Sequence, residues 1–198
     1  MEEIVKHIET EYDGYRFRSR LEARWAVFFD NAGIDFRYEP EGILVPTSFI
    51  PGWAPPRAPY LPDFYLPDLG LYVEVKGEWK PAEKAKALNA AAYLSGQGHD
   101  VLLAPDVFRQ PRGGSRRPWR LSLDGDALHA YPWPLDRARD IFTEQVETVA
   151  AAGDPDVYRD GPDLLRGCKT DYPAPDWYVK AARAAQRARF EFGERPGA

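Results

Sequence analysis

Cysteine is nearly absent: Cys168 is the only one in 198 residues. That excludes an intramolecular disulfide and a cysteine-based zinc site, and it fits a reducing, cytoplasmic compartment. Histidine is scarce too, and His7, His99 and His129 are scattered with no pair at ligand spacing. No apolar run approaches the roughly 18 residues of a membrane span. The mixed, acidic opening Met1-Glu2-Glu3-Ile4-Val5-Lys6-His7 does not read as a signal peptide, so no membrane partner is expected. An excess of positive charge is also missing. The net charge of −5 argues against coating nucleic acid through bulk charge, so any such contact must come from local basic patches. What is present is ordinary for a soluble globular chain, 44% apolar and 29% charged, and long enough for one domain with a real core and a small appendage.

Ser19 to Asn31 reads as a first helix, with Leu21, Trp25, Phe28 and Phe29 at helical spacing and Gly33 as its stop. Ile34 to Glu39 alternates like a strand, and the proline-rich residues 46 to 59 read as an irregular loop. Two alternating segments, Tyr60–Leu66 and Leu71–Gly77, form a hairpin around Pro67-Asp68-Leu69-Gly70. Pro81 opens an alanine-rich helix to about Leu94, and Val101 to Ala104 is a strand expected to run parallel to the one carrying Glu74. Arg109 to Arg120 reads as a basic loop. A second, accessory hairpin pairs Trp119–Leu123 with Ala127–Tyr131. Leu135 to about Ala151 reads as helix, Asp154 to Pro175 as a polar linker, and Asp176 to Phe192 as a final helix, solvated or loosely docked, with Ala181, Ala184, Ala185 and Ala188 supplying propensity without much apolar surface. The expected class is α/β, a small mixed sheet flanked by helices, with residues 1–135 as the main domain and 136–198 as a C-terminal helical extension.

The first hairpin carries the chemistry. Strand alternation puts Pro62, Phe64, Leu66, Leu71, Val73 and Val75 on an apolar face, and Asp63, Tyr65, Tyr72, Glu74 and Lys76 on the other. If Asp68 and Leu69 are the loop residues, Phe64 pairs with Val73 and Asp63 falls opposite Glu74; a three-residue loop with a bulge would shift this register. Like charges directly opposed are destabilising, so two facing carboxylates are either solvated or have a cation between them. Hard divalent cations such as Mg²⁺ take one or two protein carboxylates, with water and phosphate completing the shell. The Val75 carbonyl is a further candidate ligand, and Lys76 shares the Glu74 face, where it can hold a water or stabilise charge on phosphate. The dipeptide Pro-Asp alone means little, because it recurs at Pro67-Asp68, Pro105-Asp106, Pro155-Asp156, Pro162-Asp163 and Pro175-Asp176. A third carboxylate, Glu22, belongs to the capping box Ser19-x-x-Glu22 and also edges the core-facing stripe beside Trp25, Ala26 and Phe29.

Taken in order, Ser19-x-x-Glu22, Tyr60-Leu61-Pro62-Asp63-Phe64 and Val73-Glu74-Val75-Lys76-Gly77 resemble the motifs of the PD-(D/E)xK (restriction-endonuclease-like) nuclease superfamily, over roughly residues 15 to 105. Within it the chain looks most like phage and bacterial endonucleases, including the end-cleaving nuclease subunits of heteromeric transposases. The resemblance implies an αβββαβ core and a Mg²⁺- or Mn²⁺-dependent endonuclease hydrolysing DNA. It implies catalytic roles for Glu22, Asp63, Glu74 and Lys76, with Glu22, Asp63, Glu74 and Val75 around the metal. Glu39 stands near where some relatives carry an additional polar active-site residue.

For contact with DNA, Arg18 and Arg20 flank the start of the first helix, and Arg112, Arg116 and Arg117 lie in a stretch without acidic residues from Val107 to Leu123. Arginine suits bidentate phosphate contact, which positions rather than specifies. A homodimer or a larger nucleic-acid-processing complex is the expected assembly, since one site cuts one strand. The competing reading is a non-catalytic nucleic-acid-binding or assembly protein that retains the nuclease fold.

Overall fold

The computed structural model describes residues 9–47, 56–108, 116–124, 127–134, 147–151, 168–169 and 174–190. Its elements, in chain order, begin with β1 (Thr10–Tyr12), β2 (Tyr15–Phe17), α1 (Arg20–Ala32), β3 (Arg37–Tyr38), β4 (Ile43–Pro46) and β5 (Arg57–Tyr60). Then come β6 (Phe64–Leu66), β7 (Leu71–Val75), α2 (Pro81–Ser95), β8 (Asp100–Ala104), β9 (Arg116–Arg117) and β10 (Trp119–Asp124). The last are β11 (Ala127–Pro132), β12 (Glu147–Ala151), β13 (Cys168–Lys169) and α3 (Asp176–Arg187). A mixed sheet in the order β12-β11-β10-β8-β7-β6-β3 runs through the centre, with β1–β2, β4–β5 and β9–β13 as small separate pairs.

The β6–β7 register follows from strict alternation and a turn of fixed length: Phe64 pairs with Val73, Tyr65 with Tyr72 and Leu66 with Leu71. Pro67–Leu69 is a single 3-10 turn, closed by Gly70 in the left-handed region at φ 62°. Parallel pairing of β7 with β8 sets Tyr72 against Val101 and Glu74 against Leu103, as a crossover through α2 requires.

Each face of the sheet buries one apolar set. Phe64, Leu66, Leu71, Val73 and Val75 are buried under α1, whose N-terminus is capped by the Ser19 hydroxyl and whose C-terminus ends at Gly33 with φ 66°. Phe29 meets Phe64 at 5.5 Å between ring centroids, and Phe28 meets Tyr178 of α3 at 5.1 Å. On the opposite face, Ala87, Leu88, Ala91 and Leu94 of α2 pack on Val101, Leu103, Leu121 and Leu128.

Several expectations are corrected. The last helix is not loosely docked: Tyr178, Ala181 and Ala185 are buried in the same core as α1. The alanines, at i+3 and i+7 from Tyr178, let two helices approach closely instead of merely supplying propensity. Residues 147–151 form a strand on the edge of β11, not the end of a helix; Thr148 and Val149 are β-branched, and β11 offers an open edge for pairing. The rest of that expected helix lies outside the described residues. Region 136–198 thus supplies β12 and β13 as well as α3. The second hairpin is not accessory, because β10 pairs with β8 and continues the main sheet. Residues 57–59, expected in a loop, and Tyr60, expected in the first hairpin, pair with β4, and the expected strand 34–39 shrinks to Arg37–Tyr38. Among the described residues, no helix is long and apolar enough to cross a membrane.

Ala185→Leu forces a branched side chain between α1 and α3 and is expected to cost about 1–3 kcal/mol. A urea midpoint equal to that of the wild type would show that α3 does not pack there.

Candidate functional site

The C-terminal end of β7, the residue before β6 and the first turn of α1 converge at one place. Asp63 is 3% exposed and Glu22 and Glu74 are each 7% exposed, so three carboxylates are taken out of water. Asp63 does not form the next regular rung opposite Glu74. Its N–H donates to the Val73 carbonyl at 3.0 Å, and its Oδ2 accepts the Val75 N–H at 2.7 Å. The carboxylate thus occupies a position in the ladder that a backbone carbonyl would otherwise fill, which fixes it beside the end of β7.

Glu74 Oε2 accepts from the Tyr60 hydroxyl at 2.9 Å, and its Oε1 lies 3.2 Å from Lys76 Nζ. Glu22 Oε1 accepts from the Ser19 hydroxyl at 2.7 Å, while Oε2 accepts from the Tyr38 hydroxyl at 2.7 Å and from the Arg18 N–H at 3.1 Å. The capping role read from Ser19-x-x-Glu22 is therefore real, since the Ser19 Oγ also accepts the Glu22 N–H at 3.2 Å. It does not exhaust Glu22, whose second oxygen faces Tyr38. Arg18 bridges two further acids, with Nη2 at 2.7 Å from Asp63 Oδ1 and Nε at 2.8 Å from Glu39 Oε1. Glu39 sits at φ 44°, rare for a residue with a side chain, and its N–H is tied to the Asp63 carbonyl at 2.9 Å.

Electrostatically the cluster is short of positive charge. Four carboxylates (Glu22, Glu39, Asp63 and Glu74) meet two cations (Arg18 and Lys76), leaving two negative charges when all are ionised. Burial, then the charges of Glu74 and Glu22, push the Asp63 carboxyl up to about 8, against the pull of the Val75 N–H and of Lys76. For Lys76, burial pulls the ammonium down, but Glu74 and Asp63 outweigh it and the net direction is upward. Lys76 is consequently protonated at neutral pH and serves as a donor and a charge, not as a base. Burial and the Glu22 carboxylate raise the Tyr38 phenol, and burial and Glu74 raise that of Tyr60, so both hydroxyls remain donors.

The donor set suits a hard divalent cation: buried carboxylate oxygens, each already engaged by at least one donor or cation, and a charge deficit of two once all four acids are ionised. Among the described residues, no three Asp, Glu, His or Cys side chains converge tightly enough to hold an ion alone. Two carboxylates completed by backbone, water and phosphate oxygens are the arrangement these residues allow, with Asp63, Glu74 and Val75 at the end of β7. Arg18, whose side chain is 55% exposed, covers Asp63 Oδ1 and is the group a cation would displace.

The remaining arginines fall differently. Arg117 is corrected: it is 1% exposed and its Nη1 donates to the Pro134 carbonyl at 3.0 Å, so it is committed to the interior and cannot reach a phosphate. Arg116 enters β9 opposite Lys169, and Arg112 lies outside the described residues. Arg20 is half-buried and lines a cleft with the end of α3. Arg18, read from sequence as a phosphate contact, is an ion-pair partner of Asp63 and Glu39. Sequence reasoning missed Tyr38 and Tyr60 as holders of Glu22 and Glu74. The only trace of the first is its place beside Glu39-Pro40; Tyr60 stands on β5, in a different sheet from Glu74, and no spacing rule connects them. Compared with known proteins, the chain matches no family model, no curated protein and no solved structure.

Proposed function

We propose that the chain is a Mg²⁺- or Mn²⁺-dependent deoxyribonuclease of the PD-(D/E)xK type, an endonuclease similar to transposon end-cleaving subunits. The observation that carries this reading is the meeting, at the end of β7, of buried Asp63 and Glu74 with Lys76 against Glu74 and Glu22 of α1 in the same network. The bound cation would supply Lewis-acid polarisation of the scissile phosphate and a lowered pKa for a bound water. Asp63 and Glu74 are the residues that would hold it, with the Val75 carbonyl beside them. Glu22, fixed by Ser19 and Tyr38, adds negative charge that raises the demand for a cation and offers a second acceptor for water. The Lys76 ammonium holds the attacking water or the charge that develops on a phosphate oxygen. Tyr60 fixes the rotamer of Glu74 by its hydrogen bond. One such site cuts one strand, so double-strand cleavage calls for a dimer or a larger complex.

The test is incubation with supercoiled, linear and branched DNA in Mg²⁺ or Mn²⁺, beside Asp63→Ala and Lys76→Ala. Cleavage by the wild type and by neither variant is expected. Cleavage that survives both substitutions would remove these residues from the chemistry.

A second reading, a nucleic-acid-binding protein with a nuclease fold and no catalysis, draws on one observation: Arg18 already neutralises Asp63. Arg18→Ala separates the two. If Arg18 merely covers a cation site, the variant melts lower than the wild type in EDTA and gains more from Mg²⁺. A permanent counter-ion predicts the same loss with no recovery in Mg²⁺.

A further inference from the structure

The proposed chemistry leaves a second charged feature unused. Arg20 and Arg24, one turn apart on α1, line a cleft of about 370 Å³ together with Arg187 at the end of α3 and Arg189 just beyond it. Gln186 and the buried Phe190 also line it, and no carboxylate does among the described residues. The Nε–H groups of Arg20 and Arg24 are buried without a hydrogen-bond partner there. Buried donors are ordinarily satisfied, so neither guanidinium is anchored to the protein through Nε, and an anion in the cleft would engage the outer Nη groups.

Their placement opposes simple helix electrostatics. Arg20 and Arg24 stand near the positive end of the α1 dipole, where cations are disfavoured, and Glu22, the acid of that turn, is committed to Ser19, Tyr38 and the Arg18 N–H. Arg187 complements the C-terminal end of α3, but Arg189 lies beyond the helix and gains little from it. Four guanidinium groups around one cleft match an oxyanion, because their fork geometry engages two oxygens of a phosphate at once. Arg20 and Arg24 share one face of α1, and Glu22, two residues from each, points from a different one, so the cleft is separate from the carboxylate network.

We propose that this cleft binds a backbone phosphate of a DNA strand, at a position set apart from the carboxylate network. The inference rests on the nuclease reading for the identity of the strand, and it names the contact that a chain of net charge −5 uses to engage DNA. Contacts of this kind fix the strand's position without reading its sequence.

The experiment is fluorescence anisotropy of labelled duplex and single-stranded DNA without divalent ions, between about 50 and 200 mM salt. Wild type, Arg24→Ala/Arg189→Ala, Arg24→Lys and Asp63→Asn are compared, with melting temperatures confirming folding. The double variant is expected to bind at least about 10-fold more weakly, with the slope of log affinity against log salt reduced by about 1. Arg24→Lys recovers part of the affinity, and Asp63→Asn binds at least as tightly as the wild type. Unchanged affinity and slope in the folded double variant overturn the proposal. So does a rise in melting temperature with inorganic phosphate that the double variant abolishes while DNA affinity stays unchanged, since the cleft then takes a free anion. If the wild type cuts no DNA but the double variant loses affinity and slope as stated, the cleft stands as a strand-binding site and the nuclease reading falls alone.

Discussion

Glu74→Gln is expected to lower metal-dependent DNA cleavage by about 10²–10³-fold, with the fold preserved. Glutamine keeps the size of the side chain and can still accept the Tyr60 hydroxyl, so the packing at the end of β7 survives. It removes the charge that faces Lys76 at 3.2 Å and half of the carboxylate pair proposed to hold the cation. Removing a buried charge lowers desolvation cost while breaking an ion pair, and these effects largely offset one another in stability. Single-turnover cleavage at saturating DNA, over a range of Mg²⁺ concentrations, is the measurement. A weaker dependence on metal that high Mg²⁺ partly restores would assign Glu74 to cation binding. Rates within a few-fold of the wild type at every concentration would sink that assignment.

The second large effect is on stability against pH. The Asp63 carboxyl is raised to about 8 by burial and by Glu74 and Glu22. Below pH about 4, the ordinary aspartate value, Asp63 is protonated in both folded and unfolded chains and contributes nothing. Between about 4 and 8 the unfolded chain releases its proton while the folded chain keeps it, so the folded state loses ground with every unit of rising pH. Above 8 the full penalty is present, on the order of a few kcal/mol, moderated by the ion pair with Arg18. In EDTA the wild type should therefore lose melting temperature across this window relative to Asp63→Asn, and the difference should close on adding Mg²⁺ to the wild type. Parallel profiles for the two proteins would show that Asp63 is not under this strain.

The parts of this molecule written in short-range pattern were legible in the sequence. Alternation and a short turn were enough to place Phe64 against Val73, and Ser19 and Gly33 marked the ends of α1 within a residue. Glu22, Asp63, Glu74 and Lys76 were legible as residue types on named elements, and the fold brings them into one network. What the sequence hid depends on distant segments meeting. Tyr38 reaches Glu22 across 16 positions and Arg18 reaches Asp63 across 45, and nothing in the local spacing of either announces the contact. The ladder contact of Asp63 with the Val75 N–H replaces a rung that alternation alone would draw as regular. The alanines of α3 looked like helix propensity because a small residue at a helix–helix contact and a small residue in solvent are spelled alike. Arg117 looked like part of a basic loop, yet pairing of β9 with β13 carries it into the interior.

Asp63 and Glu74 are proposed to share one divalent cation. Calorimetric titration of Mn²⁺ into the full chain, beside Asp63→Asn at the same pH, tests it without DNA. A saturable site near one equivalent is expected in the wild type, tighter as pH rises through about 8 because the Asp63 proton leaves, with no comparable site in the variant. Equal binding by the two proteins, or none by the wild type, would contradict it.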